Sequence, residues 1–425
     1  MRDYSHQLVN WEEFKNFAAN FFEKFSDRTH AFLLHQNMRL SADEIYALFG
    51  ILIYQNAFTR YLKLCGLGFG DHPEIRDSLD QFAVRKYELD PLAEDVFLHL
   101  GFFHRHNEFN DAFDASGGQK SELKIRNTKS VKVQIPFPLL RRFGLDEYEQ
   151  AILERLAFLL VNHSLLDGIC SDILGSNHGI YNEIGALHLA KAIRNKNNIV
   201  LAQPGFIHLQ AKFIHQVEYE LAIASHYIGW GKGRQASNIY RLGSMYSSRP
   251  FDAIDHDDSA LVLLPQIPRT IPRPFSYYWS HINDFYPIFE ELIPKLQNIK
   301  AKHQSAAARC KHLDLNSYKQ LFQARNIDLP LNGANVNVAT EQLKPTKTVY
   351  TTYFSTAIVE GVYAGSNVQT TFSESSYLLN SLHQEDSRLL QANRTDQNLL
   401  KGYVEAYAKK TDPASFAKTL INIIK

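Results

Sequence analysis

The spacing of apolar residues differs between two parts of the chain. Near the amino end the period is that of a helix, with apolar positions three and four residues apart, which predicts one buried helix face. The aromatic residues on that face are Trp11, Phe14, Phe17, Phe21, Phe22 and Phe25. A second helix is predicted to begin at Ser41, because Asp43 and Glu44 occupy its first turn. Residues 1–125 are therefore predicted to be mainly helical, with a polar loop over 117–130.

From about residue 150 the pattern changes to helices that alternate with short apolar runs. Ile199–Ala202 predicts a buried strand, and Gln203-Pro204-Gly205 predicts the turn after it. A helix is predicted over 211–224 and a short strand at Tyr227-Ile228. This order is typical of a parallel sheet covered by helices on both faces.

A connection rich in Gly, Ser, Arg and Asp spans residues 232–258 and predicts a domain boundary. A second α/β unit follows it, with strands predicted at 260–264, 349–352 and 368–372, helices at 278–299 and 356–363, and a last helix that begins at Pro413. We therefore expect domains at 1–250 and 251–425, with 396–425 as the segment that crosses back.

Two α/β units and a closing C-terminal helix predict a GT-B architecture, in which two Rossmann-like domains face a cleft. The predicted class is α/β, with a helix-rich N-terminal part and a C-terminal helix that packs back on the first domain. Ligands of open parallel sheets bind beyond the carboxyl ends of the strands. The cleft should therefore face the loops after Ala202, Leu264 and Thr352.

Composition narrows the class of protein. The chain has 425 residues, with 45 Lys and Arg against 45 Asp and Glu, so its formal net charge is zero. This balance argues against a general nucleic-acid binder, since phosphate backbones attract concentrated positive charge. Three scattered cysteines, no secretory signal and no apolar run long enough for a bilayer predict a cytoplasmic protein.

The most informative motif lies between a predicted strand and a predicted helix. Ser355 and Thr356 stand at the helix start, Glu360 follows one turn later, and Gly365 ends the helix. Hydroxyls at a helix start can cap backbone N–H groups or donate to an anion, and Glu360 could accept a ribose hydroxyl. The pattern resembles the Ser-Ser/Thr-x-x-x-Glu-x-x-x-x-Gly element of GT-B enzymes that use nucleotide sugars. An ordinary helix cap with a surface glutamate is the alternative.

Three further segments, 41–61, 199–231 and 261–269, resemble in the same order a bacterial family of sugar transferases. That family is related to the retaining β-Kdo (3-deoxy-ulosonate) transferases of surface-polysaccharide assembly. The resemblance covers most of the chain. Two departures are Gln203-Pro204, where the family carries a His before its glycines, and Ser225-His226, where it carries an acidic residue.

The resemblance implies a donor and an acceptor. The donor is a CMP-activated 3-deoxy-2-ulosonate, either Kdo or a nonulosonate of the pseudaminic or legionaminic type. The acceptor is a surface polysaccharide or a lipid-linked glycan, which would bring the protein to the inner face of the cytoplasmic membrane. No nucleic acid is expected as a partner, and no metal or other cofactor is expected.

Such a donor carries a carboxylate and a phosphodiester, so its site needs cationic groups. Arg269 and Arg273 follow a predicted strand and could clamp either anion through paired hydrogen bonds; the alternative is that they are solvated loop residues. Gln266, in the same loop, and Gly205, in the turn of the first unit, complete the predicted nucleotide-sugar site.

Sugar transfer also needs a base or nucleophile. The candidates are His178 and Glu183, in a polar segment before a helix, and Glu218 on the next helix. Glu218 and Glu220 are two residues apart, so at most one of them faces the cleft. Each of these residues has a structural role as its alternative.

Two other classes of function stay open at this stage. Asn177-His178-Gly179 is reminiscent of α-helical uronate lyases, which would make the chain a polysaccharide lyase or hydrolase. A catalytically altered glycan-binding assembly protein would keep the clefts and lose the chemistry. Lyase activity would give an unsaturated product, a transferase would release CMP, and a binding protein would do neither.

Overall fold

A computed structural model gives the structure of the chain over most of its two α/β units and its amino-terminal helices. It describes residues 9–35, 39–65, 96–98, 111–112, 115–116, 123–125, 173–175, 183–247, 257–267, 282–303, 305–311, 314–334, 346–352, 355–370 and 397–424.

Nine α-helices and eleven strands are present in those ranges. The helices are α1 Trp11–His35, α2 Ala42–Leu64, α3 Glu183–Asn195, α4 His215–Ile223, α5 Ile282–Lys302, α6 Leu315–Ala324, α7 Thr356–Tyr363, α8 Gln397–Tyr407 and α9 Pro413–Ile424. The strands are β1 Val96–Leu98, β2 Leu123–Ile125, β3 Ile173–Gly175, β4 Ile199–Ala202, β5 His226–Gly229, β6 Ile239–Arg241, β7 Asp257–Leu263, β8 Ser305–Lys311, β9 Leu331–Ala334, β10 Thr346–Thr351 and β11 Asn367–Thr370.

Two parallel sheets form the frame of the molecule. The first sheet has the order β3-β4-β5-β6, and the second has the order β11-β10-β7-β8-β9. Every pairing within them is parallel. Helices connect β3 to β4, β4 to β5, β7 to β8, β8 to β9 and β10 to β11, as in Rossmann-like units. The predicted architecture of two α/β units is confirmed.

Continuous apolar runs explain the central strands. All four residues of β4 are buried, and in β7 the stretch Ala260–Leu263 is buried as well. A strand in the middle of a parallel sheet has helices on both faces, so both sets of its side chains leave water. This is why these strands could be predicted from the sequence.

The helical pair α1–α2 packs on the first sheet's helices through aromatic rings. Trp11 stacks on Phe58 at 5.7 Å between centroids and on Phe213 at 5.4 Å. At the start of α2 the Ser41 hydroxyl accepts the Glu44 N–H, and Glu44 accepts the Ser41 N–H, which is a capping box. Arg194 of α3 donates to the same Glu44 carboxylate at 2.5 Å, and this contact fixes α2 against α3.

The carboxyl-terminal helix returns to the first sheet. Phe416, Ala417, Leu420 and Ile421 of α9 form one buried cluster with β4 and β5 side chains, among them Val200. The preceding segment is bound to the first unit by backbone hydrogen bonds, from Lys232 N–H to Ala406 O and from Lys409 N–H to Trp230 O. The predicted packing of the C-terminal helix on the first domain is confirmed.

Some elements differ from the sequence predictions. Strand β2 lies inside the predicted loop 117–130, and β6 lies inside the predicted connection 232–258. Strands β8 and β9, helix α6 and helix α8 were not predicted. No helix in the described ranges is long and apolar enough to cross a membrane.

Candidate functional site

The order of the second sheet places a switch point between β7 and β10. From β7 the chain builds outward through β8 and β9, then returns to the other side of β7 with β10 and β11. Ligands of such sheets bind in the crevice beyond the carboxyl ends of the strands at this point. The Thr352 hydroxyl joins the two strand ends by donating to Leu263 O at 2.7 Å.

The loop after β10 leads into α7 with an unpaired hydroxyl at its start. Ser355 is the N-cap residue, with an extended backbone at φ −145° and ψ 162°, but its side chain makes no capping hydrogen bond. Its Oγ atom is buried and has no hydrogen-bond partner within the described part of the chain. Glu360 lies one turn further along α7 and is buried. A buried hydroxyl without a partner is costly, so a ligand atom is the natural partner for it.

The turn after β4 is held by two buried glutamine side chains. Gln203 Nε2 donates to Gly205 O at 2.8 Å and to Phe206 O at 3.1 Å, while its Oε1 accepts the Trp230 N–H at 3.0 Å. Gln210 Nε2 also donates to Phe206 O, at 2.9 Å. These hydrogen bonds fix the turn independently of any ligand.

The two loops meet at Gly205. A Cβ atom at this position would lie 3.8 Å from Thr356 Oγ1 of the second unit. The same Cβ would lie 2.7 Å from two ring atoms of His208, which is closer than real Cβ contacts. Glycine is therefore required by close approach, because any side chain would displace His208 from the turn.

His208 was not among the predicted site residues. It is half-buried and lies against the glycine that faces Thr356. Burial lowers the pKa of His208 to about 4, while hydrogen bonds to Gly205 and to the Gln216 side chain act in the opposite direction. The imidazole is therefore neutral near pH 7. Its place depends on the folded shape of the turn, so no spacing in the sequence could have indicated it.

Glu218 of α4 pairs with the loop after β5 and lies near two tyrosines of α2. Its carboxylate forms an ion pair with Arg234. Burial raises the pKa of Tyr54 to about 12, and the charge of Glu218 adds to that rise. Glu220 points to the other side of the helix, where it is fully buried and accepts a hydrogen bond from the Tyr227 hydroxyl at 3.3 Å. In the described structure neither carboxylate contacts the Gly205–Thr356 approach.

Glu183 is the first residue of α3. Because α3 connects β3 to the parallel strand β4, its amino end lies at the carboxyl edge of the first sheet. Gln266 follows the end of β7 and is half-buried there. The neighbouring Ile267 N–H donates to the Asp314 carboxylate at 3.3 Å. His178, Arg269 and Arg273 lie outside the described residues.

In the described structure Gly205, Ser355 and Thr356 thus lie close together. The backbone of Glu183 lies at the carboxyl edge of the first sheet, and that of Gln266 lies at the carboxyl edge of the second. It does not join Glu218 to them. Within the described ranges no three or more His, Cys, Asp or Glu side chains are grouped for a metal ion.

No family model matches this chain, and no curated protein sequence matches it. Solved structures resemble it in overall arrangement. A Staphylococcus aureus MnaA–UDP structure is 12% identical over 69% of this chain and 86% of that chain, with a TM-score of 0.39. The S. aureus TarM structure with UDP is 10% identical over 63% and 59%, with a TM-score of 0.38.

MurG of Acinetobacter baumannii is 9% identical over 64% of this chain and 79% of that chain, with a TM-score of 0.35. At such identities and TM-scores these likenesses carry no argument about activity. The architecture is established by the chain's own two parallel sheets, with the loops of β4 and β10 in contact.

Proposed function

We propose that this chain is a glycosyltransferase that moves an acidic 3-deoxy-2-ulosonate sugar from CMP to a surface-polysaccharide or lipid-linked glycan acceptor. The observation that carries the proposal is the contact between the two units. The turn after β4 and the start of α7 face each other at Gly205 and Thr356. A substrate bound beside this approach would touch both sheets at their carboxyl edges, where Rossmann-like folds bind nucleotides.

The start of α7 supplies the partner for the donor's phosphate. The amino end of a helix carries partial positive charge and free N–H groups. Ser355 adds a hydroxyl that is buried and has no partner in the described chain, and Thr356 adds a second one. A hydrogen bond to a charged phosphate oxygen is stronger than one between neutral groups. Glu360, one turn further on, is proposed to accept the ribose hydroxyl.

The donor's carboxylate needs a second cationic subsite. Arg269 and Arg273 follow β7 in the sequence, and β7 is the direct neighbour of β10. Gln266, three residues after the end of β7, can donate an amide N–H to the same anion. Separate subsites for the phosphate and the carboxylate would distinguish an acidic sugar from a neutral one.

Transfer then requires a group that takes the proton of the acceptor hydroxyl. Glu183 is the proposed base, since its helix starts at the carboxyl edge of the first sheet, on the acceptor side, and His178 precedes it in the same segment. Charge develops on an oxocarbenium-like centre as CMP leaves. His208, neutral at pH 7, lies against Gly205 as a positioning residue.

The nucleotide site is tested by isothermal titration calorimetry, in which CMP, UDP and GDP are titrated into the wild type, Ser355→Ala and Thr356→Val. CMP should bind most tightly to the wild type, and each variant should weaken it about tenfold, the effect of one hydrogen bond to a charged group. Ser305→Ala is the control, because Ser305 is exposed at the amino end of β8. Equal CMP affinity in all four proteins would refute the assignment.

The chemistry is tested by following CMP release from a CMP-ulosonate in the presence of acceptor. Glu183→Gln should lower the rate at least about 100-fold, as expected when a general base is removed, and leave CMP affinity unchanged. Full activity of this variant would remove Glu183 from the mechanism. An unsaturated product without CMP release would instead indicate a lyase.

A further inference from the structure

A second concave site lies away from the Gly205–Thr356 approach, beside β6, the last strand of the first sheet within the described residues. It is a cavity of about 650 Å³ between the end of β6 and the start of α9. Its lining residues are Arg241, Leu242, Lys409, Lys410, Thr411, Asp412, Pro413, Ser415, Phe416 and Thr419. We call it the basic-rimmed pocket.

Positive charge prevails on the rim. Arg241, Lys409 and Lys410 contribute three cations, and Asp412 contributes the only carboxylate among the lining residues. That carboxylate is already used, since it accepts the Ser415 N–H at 2.9 Å and caps α9. The amino end of α9 therefore has its own partner, and the site depends on the cations. A chain with zero net charge has concentrated positive charge at this edge.

The three cations differ in mobility. The Arg241 guanidinium donates to the carbonyl oxygens of Gly231, Gly233 and Arg234, which hold it in place. Lys409 and Lys410 have exposed side chains. Their backbones pair with Trp230 and Ser244 of the first unit. One hydrogen-bonded charge and two exposed ones suit an anion that arrives at a surface.

Three of the lining residues are apolar, namely Leu242, Pro413 and Phe416. Thr411, Ser415 and Thr419 add hydroxyls to the lining. Cations, hydroxyls and apolar side chains in one lining are the chemistry of a protein surface that rests at the membrane interface.

We propose that the basic-rimmed pocket binds the phosphate-bearing headgroup of an anionic membrane lipid and holds the protein on the bilayer surface. The lipid phosphate would pair with Lys409 and Lys410, and the first carbons of its glycerol would rest on the half-buried Leu242 and Pro413. The pocket lies near α7, the helix proposed to bind the nucleotide. The Tyr363 hydroxyl at the end of α7 donates to Ala408 O at 2.8 Å, directly before Lys409. Membrane binding does not depend on the proposed transfer reaction.

The test is co-sedimentation of the full chain with phosphatidylcholine vesicles, with and without phosphatidylglycerol. We expect binding only to the anionic vesicles and its loss at high salt, because surface electrostatics are screened. Lys409→Gln combined with Lys410→Gln should weaken partitioning about 25-fold, or about fivefold per lysine. The matched control is Lys300→Gln with Lys302→Gln, two exposed lysines of α5, which should bind as the wild type does.

Three results would overturn the proposal. The first is equal binding of the Lys409/Lys410 variant and the control, and the second is equal binding to neutral and anionic vesicles. Glycerol 3-phosphate that binds the pocket in solution, without any vesicle binding, would make the ligand a soluble phosphate and also refute it. CMP affinity is measured on the same variants and should be unchanged, so a failure of lipid binding is distinct from a failure of the nucleotide site.

Discussion

The two sides of the proposed cleft are built in opposite ways. In the turn after β4, the side-chain amides of Gln203 and Gln210 donate hydrogen bonds to the backbone carbonyl oxygens of the turn. In the loop after β10, the Ser355 hydroxyl is buried with no partner in the described chain. The first side has its final shape before any ligand arrives, and the second lacks one hydrogen bond that a ligand can supply.

This difference assigns different tasks to the two sides. A side that is already saturated can set geometry, and geometry acts mainly on the rate of transfer. A side with an unpaired donor forms its stabilising hydrogen bond only when the ligand binds, so it acts mainly on the affinity for the ligand. Variants on the β4 side should therefore change rate or stability, and variants on the α7 side should change nucleotide binding.

The largest effect is expected for Gly205→Ala. The new Cβ would meet the His208 ring at 2.7 Å, so the turn or the imidazole must move. A displacement of about 1 Å can lower a rate about 100-fold, and we expect that loss in CMP release with little change in CMP affinity. Gly402→Ala is the control, since nothing lies within 4 Å of a Cβ there. Equal rates for both variants would show that the turn does not set the geometry.

The next effect separates stability from affinity. Gln203→Ala removes three buried hydrogen bonds, and we expect a loss of about 2–4 kcal/mol in the free energy of unfolding. Ser355→Ala removes a hydroxyl that makes none in the described structure, so its unfolding free energy should stay near that of the wild type. Denaturant melts of the two variants measure this. A large loss for Ser355→Ala would show that its hydroxyl has a structural partner.

The third prediction concerns pH. The pKa of His208 is lowered to about 4 in the folded chain, against about 6.5 unfolded. As the pH falls from 6.5 towards 4, the unfolded chain takes up a proton that the folded chain does not, so stability is lost in this window. His208→Gln should be less sensitive there, by up to about 3 kcal/mol. Identical pH profiles of the two proteins would contradict a buried neutral imidazole.

The smallest effect is expected for Glu218→Gln. The ion pair of Glu218 with Arg234 is partly exposed, at 12% and 32%, and such pairs contribute about 1 kcal/mol or less. We expect this loss of stability with transfer nearly unchanged, because no described contact joins Glu218 to Gly205, Ser355 or Thr356. Loss of transfer with normal stability would instead place Glu218 in the reaction, as the sequence predicts.

The strands that could be predicted are those whose own residues determine burial. Ile199–Ala202 is apolar at every position and is bounded by turn residues. Strand β8, Ser-Ala-Ala-Ala-Arg-Cys-Lys, was missed because alanine and lysine favour helices and three small residues give no strand period. It is a strand because β7 and β9 pair with it on both sides, which is a property of the tertiary fold.

The site could be predicted only as far as topology determines it. The rule for carboxyl edges placed the turn after Ala202 and the loop after Thr352 in one cleft, and both are found near Gly205 and Thr356. The position of His208 depends on a turn shaped by side-chain amides. The pairing of Glu218 with Arg234 joins a helix to a distant loop. Neither leaves a signal in local spacing.

The return of α9 to the first sheet affects how this protein can be divided. Phe416 and Leu420 cover Val200, Ala202 and Ile228, so a fragment that ends near residue 250 would expose those strands to water. We expect such a fragment to aggregate when expressed alone and to become soluble when a peptide of residues 408–424 is added. Helix α9 follows the second unit in the sequence, so the first unit cannot complete its core until both the second unit and α9 have been translated.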